Sequence, residues 1–124
     1  MMAHEFGHAL QIRASMGRLV PPIMREVCAF LAEYALMSHV QQRRSAHYNQ
    51  LAKAWRKDDQ RYFGAHRDRL AAAMLAPATP YLYSWNYPVA RYLASQIVER
   101  YTHDRIWRIF TGEASVQVAL QELA

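Results

Sequence analysis

The chain has 124 residues, 52% of them hydrophobic, and 15 Lys and Arg against 10 Asp and Glu give a net charge of +5. That size and apolar content exclude wholesale disorder and suit a single domain, residues 1–124, with a real core. One cysteine, Cys28, rules out an internal disulfide and points to a reducing, cytoplasmic setting, and no apolar run nears the ~20 residues that span a bilayer.

Four glycines and five prolines among abundant Ala, Leu, Arg and Gln favour helices over strands, so the expected fold class is all-α. A first helix is expected over residues 2–16, with Ala9, Leu10, Ile12 and Met16 available to pack and Gly17 as its stop. Pro22 suits the first turn of a second helix reaching about Gln42, where Ile23, Val27, Phe30, Leu31, Tyr34, Ala35 and Met37 follow helical spacing. Ser45 is placed to cap a third helix running to about Leu75, with Gly64 as the point where it can break. The stretch from Ala76 to Pro80 ends it, and the aromatic run from Tyr81 to Tyr87 leads into a helix from about Pro88 to Tyr101. Two short helices, 103–110 and 113–123, flank Gly112.

The first helix carries the most informative residues, His4-Glu-Phe-Gly-His8. Histidines four apart stand one turn apart, so both imidazoles leave one face and can share a metal ion. The glutamate beside the first histidine, Glu5, can reach a water on that metal without being a ligand. This is the H-E-x-x-H pattern of zinc hydrolases, in which Zn2+ acidifies water and the carboxylate takes its proton. A catalytic zinc site needs a third protein ligand and keeps a further position open. The second helix offers Glu26 and Glu33, seven residues apart and therefore on one face, each flanked by apolar residues. Carboxylates in such surroundings need a metal, a partner or a hydrogen bond. A short loop packs the two helices antiparallel and brings that face opposite His4 and His8.

The His-Glu-Phe-Gly-His-Ala-Leu segment, followed by Arg25-Glu-Val-Cys-Ala-Phe-Leu-Ala-Glu-Tyr-Ala-Leu36, resembles the zinc metallopeptidases of the thimet oligopeptidase and oligoendopeptidase F family. The resemblance implies a helical zincin-like catalytic subdomain and short peptides as substrates. It implies Glu26 as the third zinc ligand and Glu33 as a supporting residue. The family's loop between the two helices is longer, and counting from His8 alone would select Glu33 as the ligand instead. The Tyr81-Leu-Tyr-Ser-Trp-Asn-Tyr87 run is similar to a tyrosine-rich family segment that donates hydrogen bonds to the tetrahedral intermediate, which puts Tyr83 first and then Tyr81 and Tyr87 in that role. The family's histidine of that region has no counterpart between Pro77 and Pro80. Family enzymes are longer, so the resemblance also implies a missing N-terminal region, or a second copy of the chain, completing the substrate channel.

The basic segment from Arg43 to Arg69 interleaves eight Lys and Arg with Tyr48, Trp55, Tyr62 and Phe63. Such interleaving suits nucleic acid, but Asp58, Asp59 and Asp68 dilute it, and a solvated helix face with inward aromatics is the expected reading. His39 is expected at a boundary or pocket, His47, His66 and His103 at the surface, and Cys28 as a small core residue. Besides an active peptidase, two readings stay open: an inactive zinc-binding remnant, and a basic helical interaction module with an accidental histidine motif.

Overall fold

A computed structural model describes residues 2–44, 46–76 and 78–123, and among these every regular element is helical. The elements are α1 (Met2–Ser15), α2 (Pro22–Gln42), α3 (Tyr48–Gln60), a π-helical turn (Arg61–His66), α4 (Arg67–Met74), a 3-10 turn (Tyr83–Trp85), α5 (Asn86–Arg100), α6 (His103–Phe110) and α7 (Val116–Leu123). None of the helices is long and apolar enough to cross a membrane.

The α1–α2 connection shows why these residues form a helical hairpin. Met16 and Gly17 turn left-handed, with φ of 49° and 84°, and the Arg18 amide donates to the Ser15 carbonyl at 2.9 Å. A glycine accepts that conformation without strain. Pro22 then opens α2, where its missing N–H is not needed. The chain reverses, so His4 comes beside Glu33 and Gly7 beside Ala29.

Helix α2 is the axis of the molecule. Met24 and the run from Glu26 to Leu31 are buried, a continuity that only a helix covered on several sides can have. α1 covers one side and α5 another, the latter through Ala90, Leu93, Ala94 and Ile97. Ile109 and Phe110 of α6 and Ala119 and Leu123 of α7 close the end of the same core. Both short helices begin on hydroxyl caps: Thr102 accepts from the Arg105 amide, and Ser115 accepts from the amides of Gln117 and Val118.

The buried face of α1 and some helix limits depart from the sequence reading. In α1 the expected packing residues face outward: Ile12 and Met16 are 67% and 90% exposed, Ala9 is exposed, and only Leu10 is half-buried. Gly7, Gln11 and Ser15 are buried instead, because the face bearing His4 and His8 is the one turned to α2. The third helix breaks where expected: α3 is regular to Gln60, and a π turn containing Gly64 separates it from α4. Its expected cap, Ser45, lies outside the described residues, as does Pro77 in the break that follows α4. The fifth helix starts two residues earlier than expected, at Asn86, and the last begins at Val116 rather than residue 113.

Candidate metal centre

Gly7 sets the spacing between α1 and α2. A Cβ at this position would stand 2.7 Å from Ala29 Cα, 2.9 Å from Ala32 Cβ and 3.0 Å from the Cys28 carbonyl oxygen. Only a glycine lets the two backbones come this close. Its neighbours on either side along the same face, His4 and His8, are thereby pressed against the α2 face that carries Glu26 and Glu33.

The resulting cluster is compact. His4 Nε2 lies 3.1 Å from Glu26 Oε2, and His8 Nε2 lies 3.5 Å from Glu26 Oε1. One donor atom from each of His4, His8 and Glu26 falls within 4.8 Å of the others. Donors about 2.1 Å from a shared tetrahedral zinc are separated by about 3.4 Å, close to the two histidine–carboxylate separations found here. The donor chemistry, two imidazole nitrogens and a carboxylate, is one that divalent transition metals accept, zinc among them. The residues present therefore fit a metal ion, with His4, His8 and Glu26 as the set that can hold it.

Glu33 stands behind this set. Its Oε1 is 3.7 Å from His4 Nδ1, on the far side of the imidazole from Glu26. When Nε2 of His4 serves a metal, its proton resides on Nδ1, facing the Glu33 carboxylate. The two glutamates seven residues apart thus take different positions, Glu26 against both histidines and Glu33 against the back of one. The His4 ring also sits edge-on to His8 and to Phe30, with centroids 4.9 and 5.0 Å away, which limits its rotation.

Electrostatics separate the two carboxylates. Burial pushes the Glu26 carboxyl upward, but hydrogen bonds from His4 and Tyr83 and the nearby His8 outweigh it and bring it below the ordinary range. For Glu33 burial prevails over the opposing His4 and Arg91 and is reinforced by Asp58, so this carboxyl is raised. Cys28, wholly buried, is pushed up to about 12 by burial, so it stays a neutral core thiol.

The tyrosines divide in the same way. Tyr83 comes from the 3-10 turn and donates to Glu26 Oε1 at 2.7 Å. Burial, that hydrogen bond and the Glu26 charge push its phenol up to about 12. Tyr87, one turn on, rests against Tyr83 at 6.0 Å between ring centroids, and is raised by burial and by the charges of Glu26 and Glu5. Tyr81 has other partners: its hydroxyl accepts from Asn86 at 2.5 Å and its ring packs edge-on against Trp85. Glu5 is exposed, and its charge acts on the phenol of Tyr87.

Of the remaining histidines, His39, His47 and His103 are exposed, and His66 is half-buried with its ring against Tyr62. In the basic segment every Lys and Arg is exposed, while Trp55 and Tyr62 are half-buried and turn their rings to Arg91. Gly7 and Arg91 carry no role in the sequence reading, yet both border the cluster. Each left a signal there: a glycine inside a helical pattern marks a close approach, and an arginine sharing a stripe with Tyr87 and Ala94 must be paired. Comparisons with protein-family models, curated proteins and solved structures found no match for this chain.

Proposed function

We propose that this chain is a zinc-dependent metallopeptidase unit of helical, zincin-like architecture that hydrolyses short peptides in the cytoplasm. The observation that carries the reading is the convergence of His4, His8 and Glu26 from two antiparallel helices, with Glu5 beside the first histidine and outside the ligand set. When bound, zinc supplies Lewis acidity toward the scissile carbonyl and lowers the pKa of water at the site. Glu5 accepts the proton of the attacking water at its carboxylate and delivers it to the leaving amine. Glu33 keeps the proton of His4 on Nδ1, leaving Nε2 free to donate its lone pair. Tyr83 remains protonated at neutral pH, because its phenol lies near 12, and by exchanging Glu26 Oε1 for the substrate its one O–H would donate to the carbonyl oxygen as that oxygen gains charge. Tyr87 stands next to it as a second phenol. The substrate class rests on the family resemblance of the motif segments.

Zinc stoichiometry of the purified chain, followed by peptide cleavage with wild type and Glu5→Gln, tests the proposal. One zinc per chain, with cleavage lowered at least about 100-fold in Glu5→Gln, is the expected result. Zinc binding without cleavage leaves an inactive metal-binding protein, and no bound zinc leaves an interaction module; either outcome overturns the peptidase reading.

A further inference from the structure

Arg91 on α5 has no exposed surface, and its surroundings account for all but one side of its guanidinium. Nε donates to Asp59 Oδ1 at 2.7 Å and Nη2 donates to the Trp55 carbonyl at 3.1 Å, both on α3. The rings of Trp55, Phe30 and Tyr62 surround it, the first with its centroid 4.0 Å from the guanidinium carbon. Among the described residues Nη1 alone has no hydrogen-bond partner, and 3.7 Å away stands Glu33 Oε2, a buried oxygen that also finds none among them. The other oxygen of that carboxylate faces His4 Nδ1.

These contacts form a line: Asp59 and Trp55 fix Arg91, Arg91 faces Glu33, Glu33 faces His4, and His4 faces Glu26. We infer that Arg91 is a positioning residue for the metal centre, aiming the Glu33 carboxylate at the back of the His4 imidazole. The inference rests on the proposed metal site and extends it to α3 and α5, which contribute no ligand. Asp59 is 38% exposed and anchors the guanidinium from the outside, whereas Glu33 is 4% exposed and, among the described residues, has Arg91 and His4 as its ion-pair neighbours. The gaps on either side of Glu33 exceed a charge-assisted hydrogen bond by less than about 1 Å, so small side-chain shifts close both. A lysine would not reproduce the arrangement, because it lacks the planar fork that serves Asp59, Trp55 and Glu33 from one group.

Zinc affinity measured by chelator competition on the full chain tests this, in Arg91→Met, Arg91→Lys, Asp59→Asn, Glu33→Gln and the Arg91→Met/Glu33→Gln pair. Arg91→Met is expected to bind zinc roughly 10- to 100-fold more weakly, with Arg91→Lys and Asp59→Asn between it and wild type. The double variant is expected to match Glu33→Gln alone, because Arg91 acts through that carboxylate. The visible spectrum of the cobalt-loaded protein should change in Arg91→Met as it does in Glu33→Gln. Wild-type affinity in a folded Arg91→Met, or a full additional loss in the double variant, overturns the inference. Should Arg91→Met not fold, Arg91→Lys and Asp59→Asn decide, and wild-type affinity in both overturns it. A wild-type chain that binds no zinc removes the metal-site reading itself, a result distinct from tight wild-type binding that is indifferent to Arg91.

Discussion

Replacing Gly7 with alanine is the smallest change that tests how the site is built. The added carbon would lie 2.7 Å from Ala29 Cα and 3.0 Å from the Cys28 carbonyl oxygen, and backbone atoms cannot rotate aside. Ordinary carbon contacts begin near 3.5 Å, so α1 must withdraw from α2 by about 1 Å. Overpacking of this kind costs about 1–3 kcal/mol, and the better helix propensity of alanine returns up to about 1 kcal/mol. A net loss of about 1–2 kcal/mol is expected, read as a drop of roughly 4–10 °C in Tm by circular dichroism. The same withdrawal stretches the 3.1 and 3.5 Å separations between the histidines and Glu26, so zinc affinity by chelator competition should fall more than about tenfold. Gly64→Ala is the control: its Cβ would meet nothing within 4 Å, so neither quantity should fall. A Gly7→Ala protein with wild-type Tm and wild-type zinc affinity would refute the claim that this contact sets the geometry of the site.

Exchanging each glutamate for glutamine separates their roles: Glu26→Gln should abolish stoichiometric zinc binding, while Glu33→Gln should weaken it roughly 10- to 100-fold, both measured by zinc competition. Tyr83→Phe should retain zinc yet lose about 100-fold in kcat for peptide cleavage; unchanged kcat would remove Tyr83 as the oxyanion donor. In metal-free protein the lowered Glu26 carboxyl favours the fold above its ordinary value of 4.5, and this contribution disappears as pH falls through the lower folded value. Glu26→Gln should therefore flatten the acid limb of a stability–pH curve compared with wild type, and identical limbs would contradict that assignment. Zinc at about 100 times its Kd should add about 2.7 kcal/mol to the stability of the wild type, and excess chelator should remove it; a Tm indifferent to both would argue against a folded-state site.

Much of the helical layout was legible because its boundaries depend on local chemistry. The left-handed Gly17 and the N–H-deficient Pro22 act within one turn of themselves, so the limits of α1 and α2 follow from them. The pairing of His4 with His8, and of Glu26 with Glu33, was equally local, since each pair shares a helix face by spacing alone. The buried face of α1 was not, because apolar content suggested Ile12 and Met16 whereas packing selected Gly7, Gln11 and Ser15. That choice depends on how near two helices can come, a property of the pair. Which glutamate lies against both histidines depended on the loop as well, and the hairpin geometry places Glu26 there. The π turn required tertiary information too, since Tyr62 packs against Phe30 of α2 and Tyr87 of α5 as well as His66 of its own turn. Arg91 was the hardest to read: its partners lie 32 and 58 residues away, and only the fold brings Asp59 and Glu33 to it.

Anomalous diffraction at the zinc edge, from crystals of the whole chain grown with zinc, tests the central claim most directly. One peak is expected, contacted by Nε2 of His4, Nε2 of His8 and the carboxylate of Glu26, with Glu33 behind His4. The absence of a peak between α1 and α2, or a peak held by other side chains, would contradict it.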